Sequence, residues 1–427
     1  MNKKVSTDSY KGVRDFYPED WRFQKWLFWK MTEVVEKFGY ENYAASPLEY
    51  TDLYEAKSGR EIVENETYNL VDRGDRRVTL RPEMTPTIAR MIAAKNREIP
   101  RPIRWYSIPN VFRYEKPQRG RLREHYQLNV DFFGIDGIEA EIEMIEIGAG
   151  IMKNIGAKDE DYIIRLNDRR IWDSIYKFLE IGSENSYEIA KLIDKKKKLE
   201  KEIFEKILED LVGLDKTRKI LEILGLQSFD SLKKFGVGEN IILDLEKIQK
   251  TLKSKKINNV VFDITLMRGF DYYTGIVFEF FDTHPENNRS LFGGGRFDDL
   301  LDIFGQEKIP AIGFGMGDVT ARDFLEIRGI LPEEKIKTDI AVLLLDKEFY
   351  QVASKIVSEL RKELNVEFDF SYRKLEKQIK SADKKGIENI LTIGENEIKE
   401  NKFTLKNILS GEKKENLSVE EIISELK

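Results

Sequence analysis

The residues best suited to chemistry lie in the first third of the chain. Between Arg113 and Arg123 stand Arg113, Lys116, Arg119, Arg121 and Arg123, opposed by the single acid Glu115. Planar guanidinium groups bind phosphate and carboxylate oxygens through paired donors. A solvated basic turn is the plain alternative. The flanking sequence tells what holds these side chains. RWYSIPNVFRYE and HYQLNVDFF, rich in aromatic and β-branched residues, enclose KPQRGRLRE, with Pro117 and Gly120. Such runs around a Pro/Gly loop predict an antiparallel hairpin with a long loop. In the second run Leu128, Val130 and Phe132 alternate with Gln127, Asn129 and Asp131. Period two puts the apolar set on one face, over a core, and the polar set on the other, as a floor.

Composition narrows the classes of function. The chain has 427 residues and a formal net charge of −6. At roughly 150 residues per domain, this length predicts two to four domains. A nucleic-acid contact would have to come from a local basic patch rather than from the total charge. Cysteine is absent, which excludes disulfides and thiolate chemistry. His125 and His284 are the only histidines, which argues against a histidine metal cluster or a Ser–His pair. No protein metal ligand is singled out. The N-terminus lacks the apolar stretch of a signal peptide, and Ile340–Leu345 is far too short to span a membrane. A soluble, cytoplasmic protein is expected.

Periodicity supplies the supporting elements. Residues 1–20 read as extended, and Trp21–Phe38 as a helix ended by Gly39. Pro47 belongs at a strand edge or corner. Arg76–Leu80 reads as a short strand running into Arg81-Pro82-Glu83-Met84-Thr85-Pro86 and a helix, with Thr85 as N-cap before a proline. Ala140–Ile155 is a second helix. From about Arg169 to Lys256 strand signals vanish; Phe204, Ile207, Leu208 and Leu211 mark an amphipathic helix, and a helical insertion is predicted. Its run Lys195–Lys198 is the kind of basic stretch usually found on a solvated face. Sheet character returns over Asn258–Phe281. Two glycine-rich stretches follow, Gly293–Asp298 and Ile312–Gly317, and then a helix, Asp318–Ile327. Glycines at that density let backbones or ligands approach closely. Beyond a linker at Leu331–Glu334, strands and helices alternate: DIAVLLL, Phe349–Leu364, VEFDFSY, Leu375–Lys385, ENILTIG, an edge strand FTLKNIL, and Val419–Leu426. That alternation predicts a small α/β domain with a mostly parallel sheet.

Several of these stretches coincide with one family. The chain resembles the histidyl-tRNA synthetases, which are class II aminoacyl-tRNA synthetases, over nearly its whole length. GYENYAASPLEY resembles class II motif 1, whose proline lies near the dimer interface. FRYEKPQRGRLREHYQLNVDFFG resembles motif 2. LRPEMT (Leu80–Thr85) and MRGFDYYTGIVFE (Met267–Glu279) resemble stretches particular to the histidine enzymes, and RKLEKQIKSADKKGIENILTIGENE resembles their anticodon-binding domain. The resemblance implies an α+β catalytic core on an antiparallel sheet over 1–168 and 257–330. It also implies a helical insertion domain over 169–256 and an anticodon-binding α/β domain over 335–427. The implied activity is ATP-dependent activation of histidine and its transfer to the 3′ end of tRNA, with Mg²⁺ on the nucleotide and a homodimer as the assembly.

By the same resemblance Glu83, Met84 and Thr85 would bind histidine, with Glu83 and Thr85 on its ammonium from one face of a strand. Gln127 and Asp131 would add hydrogen bonds to the ammonium or the imidazole; many family members carry Glu where this chain has Asp131. Tyr272 and Tyr273 would line the imidazole pocket. Arg113 and Arg268 would converge on the α-phosphate, Arg113 also on the carboxylate. Glu115, Gln118, Arg119, Arg121 and Arg123 would touch ATP or the acceptor stem. Structural alternatives stand beside these roles. Thr85 could only cap a helix, Asp131 and Arg113 could form an ion pair, the tyrosines could be core aromatics, and Arg268 an ordinary strand-end residue. His125 and His284 read as structural or solvent-facing. One position departs from the family. GFGMGDVTARDFL resembles motif 3 but carries Thr320 in place of the γ-phosphate arginine. Arg322, about 200° further round a helix, cannot simply replace it. Either another arginine acts, or ATP binds differently, or activity is weak. That gap keeps a second reading open, a non-catalytic regulatory partner of ATP phosphoribosyltransferase, although such partners usually lack the C-terminal domain.

Overall fold

The structure, a computed structural model, describes residues 5–56, 66–196, 199–226, 228–267, 273–287, 289–333 and 336–427. The chain forms two compact units, Met1–Pro332 and Glu333–Lys427.

In the first unit, the opening helix runs Pro18–Lys37, with its proline in the first turn, where a missing N–H costs nothing. Strand β1 (Glu41–Asn42) follows. Then β2 (Leu48–Tyr50), β3 (Tyr68–Val71) and β4 (Arg77–Leu80) make a small antiparallel sheet in the order β2-β4-β3. Strand β4 ends before Pro82, and a helix occupies Thr85–Ala94. Next come β5 (Ile103–Ser107), β6 (Asn110–Phe112) and β7 (Glu124–Phe133). The expected first hairpin strand is thus two strands, both paired with β7. Pro109, which has no N–H to give a ladder, sits at the break, and its carbonyl accepts from the Gln127 N–H at 3.0 Å.

Helix Glu139–Asn154 leads to β8 (Tyr162–Asp168). A helical segment from Arg169 to Ser254 then separates β8 from its parallel partner β9 (Val260–Phe262). Of the predicted amphipathic set, Phe204 and Leu208 are buried in helix Lys201–Val212, while Ile207 stays exposed. Strands β10 (Ile276–Asp282), β11 (Ser290–Arg296) and β12 (Ala311–Gly317) complete a nine-stranded sheet in the order β1-β5-β7-β12-β11-β10-β8-β9, with β6 beside the start of β7. The sheet is antiparallel except at the edge pairs β1/β5 and β8/β9. Helix Asp318–Ile327 follows β12.

One face of this sheet is the main core. Leu128, Val130 and Phe132 of β7, with Phe278, Phe280, Phe292 and Phe314 from the neighbouring strands, pack with Leu27, Met31 and Val35 of the first helix and with Ile145 and Met152. The alternation in HYQLNVDFF therefore does what its period requires. The other face is polar and glycine-rich in its middle, and at one end carries a second buried apolar cluster that includes Ile103, Phe133, Val277 and Phe297.

The second unit has β13 (Ile340–Leu344), β14 (Val366–Asp369), β15 (Asn389–Ile393), β16 (Phe403–Asn407) and β17 (Lys413–Leu417), ordered β14-β13-β15-β16-β17. Its first three strands are parallel and its last two pairings antiparallel, so the sheet is mixed rather than mostly parallel. β16 is not the edge; β17 covers it. Helix Val419–Leu426 carries a capping box from Ser418 and Glu421, satisfying end N–H groups reciprocally.

Candidate active site

Strand register builds a trough on the polar face. Asn129 of β7 lies opposite Gly315 of β12, Gly315 opposite Gly293 of β11, Gly293 opposite Glu279 of β10, and Glu279 opposite Arg165 of β8. The next row on that face runs Asp131, Gly313, Gly295, Val277 and Asn167. The two middle strands therefore present bare backbone between polar walls. Side chains at these positions would meet their neighbours, and at Gly313 one of those neighbours is backbone, Val130 O at 2.7 Å. A Cβ on Gly313 would stand 2.6 Å from Asp131 Oδ1, and one on Gly315 2.5 Å from Gln127 Nε2.

Above this floor opens a cleft of about 1150 Å³ whose lining includes Arg113, Glu115, Gln118, Arg119, Arg121 and Gln127. His125, Arg165, Asp263, Glu279, Arg289 and Thr320 line it too, and Asp194 and Lys196 contribute from the helical segment. Lys196, in the basic run expected to be a solvated face, thus stands at the cleft.

Local hydrogen bonds place these side chains. The Arg113 N–H donates to Arg123 O (2.9 Å), closing the hairpin beyond β6, and Arg113 Nε donates to Pro82 O (3.0 Å). That contact pins the guanidinium beside the turn carrying Glu83. Arg81 holds the same turn from beneath, donating to Asn110 O (2.8 Å) and Ala45 O (2.8 Å). Glu115 pairs with Arg121 at 2.8 Å, and Arg165 pairs with Asp263 at 2.9 Å while its guanidinium lies 4.0 Å from the Phe281 ring centre. Glu279 accepts from the Ser290 hydroxyl.

Glu83 and Asp131 are both buried, 4% and 3% exposed, and do not line the open cleft. Burial, and after it the Glu83 carboxylate, push the Asp131 carboxyl up to about 8. Asp131 forms no ion pair with Arg113, and its Oδ2 has no hydrogen-bond partner among the described residues. Tyr43 is held well above its ordinary range by burial and by the nearby Asp131. Burial, then the Arg113 charge, lower His125 to about 3. This histidine is therefore a neutral, half-buried wall of the cleft.

Several expectations are corrected. Glu83 and Thr85 do not share a strand face: β4 stops at Leu80, because Pro82 cannot extend it, and Thr85 opens the helix. Thr85 is not a side-chain N-cap; that position is Met84, which is fully buried, and no side chain caps the helix. Arg123 does not line the cleft. Its Nε donates to Glu115 O (3.1 Å), and its guanidinium packs 4.1 Å from the centre of the Tyr114 ring. Gln118, Arg119 and Arg121 do line it. Tyr273 is buried with Leu266 and Val277. Arg268 and Tyr272 lie outside the described residues. The sequence reading missed Arg165, Glu279 and Arg289. The period-two pattern of YIIRLND would have found the first, since Arg165 and Asn167 point away from the buried Ile164 and Leu166.

A glycine-floored, arginine-walled trough on an antiparallel sheet, with a separate mixed α/β unit after it, defines a class II aminoacyl-tRNA synthetase core. Residues 12–318 match the histidyl-tRNA synthetase family and residues 339–427 the anticodon binding domain, so the chain belongs to the histidyl-tRNA synthetase family. It is 41% identical to a histidine–tRNA ligase of Leptospira biflexa, over 96% of this chain and 94% of that one. It is 34% identical to the histidine–tRNA ligase of Haloarcula marismortui, over 95% and 94%. In fold it is similar to the histidyl-tRNA synthetase of Nostoc sp. PCC 7120, with a TM-score of 0.83 at 24% identity and 99% of both chains covered. Among the described residues no helix is long and apolar enough to cross a membrane.

Proposed function

We propose that the chain activates L-histidine with ATP to histidyl-adenylate and transfers the histidyl group to the 3′ end of tRNA(His). The observation that carries this reading is the trough itself: a side-chain-free floor beside Arg113, with the buried Glu83 and Asp131 carboxylates further along the same end of the site. In the first step a histidine carboxylate oxygen attacks the α-phosphorus and pyrophosphate leaves. In the second a ribose hydroxyl of the tRNA attacks the adenylate carbonyl and AMP leaves. Neither step needs a protein nucleophile; orientation and fixed positive charge suffice.

In this reading Arg113 bridges the carboxylate and the α-phosphate, with Arg268 as its counterpart. Glu83, Thr85 and Asp131 take the ammonium, aided by Gln127, while Met84 packs beneath. Tyr272 and Tyr273 shape the imidazole pocket. Gln118, Arg119 and Arg121 face the nucleotide or the acceptor stem, and Glu115 orients Arg121. Arg123 supports the hairpin from behind. Mg²⁺ would arrive on the triphosphate and neutralise the leaving pyrophosphate; Glu279, which lines the cleft, would be the acid to share it. Residues 1–168 and 257–330 serve as catalytic core, 169–256 as insertion domain and 335–427 as the anticodon-binding domain. The setting is cytoplasmic. The assembly is a homodimer, supported by Leu48, Tyr50 and Leu70, which are exposed on one face of the β2-β4-β3 sheet. Relatives named as ligases along the full chain weigh against the regulatory-subunit reading. Exchange of labelled pyrophosphate into ATP that depends on histidine is the expected result. Exchange with another amino acid, or with none, refutes the proposal.

A further inference from the structure

We propose that Arg289 supplies the positive charge for the terminal phosphates of the nucleotide. The inference rests on reading the cleft as an ATP site. The helix Asp318–Ile327 offers the cleft no cation of its own. Thr320, in its first turn, gives its hydroxyl to Leu291 O (2.8 Å) and Gly317 O (3.2 Å). A hydroxyl has a single donor, and here the backbone takes it. Arg322 is turned away: its Nε donates to Glu326 (2.8 Å), Nη1 reaches Asp20 (3.4 Å), and it does not line the cleft.

The Thr320 contact points to the replacement. Leu291, whose carbonyl holds Thr320, lies two residues beyond Arg289, and Arg289 lines the cleft. Its Nη1 donates to Arg119 O (2.5 Å) at the tip of the hairpin loop. Gly120 makes room: it has φ +74°, and any Cβ there would collide with the guanidinium. Arg289 thus fastens the loop tip to the sheet. A guanidinium has five N–H donors, and this is the one side-chain hydrogen bond of Arg289 among the described residues. Competing arginines are more committed. Arg121 is paired with Glu115, Arg165 with Asp263, and Arg119 stands 3.8 Å from Asp323. Arg289 forms no ion pair among the described residues. Asp323 is close enough for the Arg119 charge and then the Arg289 charge to act on its carboxyl, without pairing with Arg289. Charge leaving with pyrophosphate then meets a fixed cation at the loop end of the trough, whereas Arg113 stands at the turn that carries Glu83.

The test compares wild type, Arg289→Ala and Arg289→Lys. ATP and AMP affinities are measured by calorimetry, and the KM for ATP by histidine-dependent exchange. Losing a charge-assisted phosphate contact should weaken ATP roughly 10- to 100-fold in Arg289→Ala. AMP and histidine affinities should be unchanged, and Arg289→Lys should fall between. A purely structural latch would instead weaken ATP and AMP equally, which overturns the inference. Normal wild-type exchange with undiminished ATP affinity in Arg289→Ala also overturns it, and leaves the proposed activity standing. Wild-type protein that binds no ATP overturns both.

Discussion

Replacing Asp131 with asparagine tests the buried carboxylate pair. Burial first, and the Glu83 carboxylate second, raise the Asp131 carboxyl from 3.8 to about 8. At pH 7 the ligand-free protein therefore keeps this group protonated, whereas the unfolded chain releases the proton near pH 4. Between roughly pH 4 and 8 the folded state holds the extra proton, so the contribution of Asp131 to stability falls as pH rises through that window. At roughly 1.4 kcal/mol per pH unit the loss reaches at most about 6 kcal/mol above pH 8. Asparagine keeps the shape and never ionises. Asp131→Asn and wild type should unfold alike in urea near pH 4, and the variant should be several kcal/mol more stable at pH 8. Titrating groups remote from Asp131 cancel in that comparison, and the coupling to Glu83 is part of the loss being read.

Ligand binding gives an independent reading of the same group. A histidine ammonium between Glu83 and Asp131 requires Asp131 ionised, which costs about 1.4 kcal/mol at pH 7. Histidine affinity should then rise about fivefold from pH 7 to pH 8, with close to one proton released per histidine at pH 7. Calorimetry in buffers of different ionisation heat reads that proton directly. Asp131→Asn should abolish the release and weaken histidine roughly 10- to 100-fold. Wild-type affinity that is flat from pH 7 to 8 with no proton release would refute the reasoning. So would a variant that is less stable than wild type at pH 8.

Two further outcomes are expected. In Gly313→Ala the new methyl would lie 2.6 Å from Asp131 Oδ1 and 2.7 Å from Val130 O. Overpacking of this kind costs about 1–3 kcal/mol, and histidine binding should be lost while ATP still binds; unchanged histidine affinity would contradict the trough geometry. Sedimentation should give twice the 50.0 kDa chain mass, and Tyr50→Glu with Leu70→Glu should dissociate that dimer; a monomeric wild type would rule out the proposed interface.

The hairpin was legible because its chemistry and its pattern coincide: the same period that buries Leu128, Val130 and Phe132 turns Gln127, Asn129 and Asp131 to the site. The helix Asp318–Ile327 was equally plain, and so was Val419–Leu426. Other elements were hidden for physical reasons. Strand β17, KKENL, has no apolar face to betray it, since it only closes an edge. The strand inferred for Glu83 and Thr85 extended a β-branched run past a proline that ends it. Arg123 resembled its neighbours in the basic loop by composition alone; only the packing against Tyr114 shows that it faces away.

The least legible strands explain the site. Glycine is depleted in strands because it gives up the most backbone freedom and packs nothing, so SLFGGGR and AIGFGMG carry little strand signal of their own. Their place is set by neighbours: β7 on one side and β10 on the other supply the ladders, and Phe292, Phe314 and Met316 anchor the opposite face in the core. A sequence with ordinary strand residues at 293, 295, 313 and 315 would be easier to recognise and would have no trough, because side chains there would fill the space between Asn129 and Glu279. The feature that weakens the local signal is thus the one that leaves room for a substrate. It also explains why the β7 wall could be read from sequence as a strand face, when the glycine stretches showed only as places of close approach and the far wall of Glu279 and Arg165 went unread.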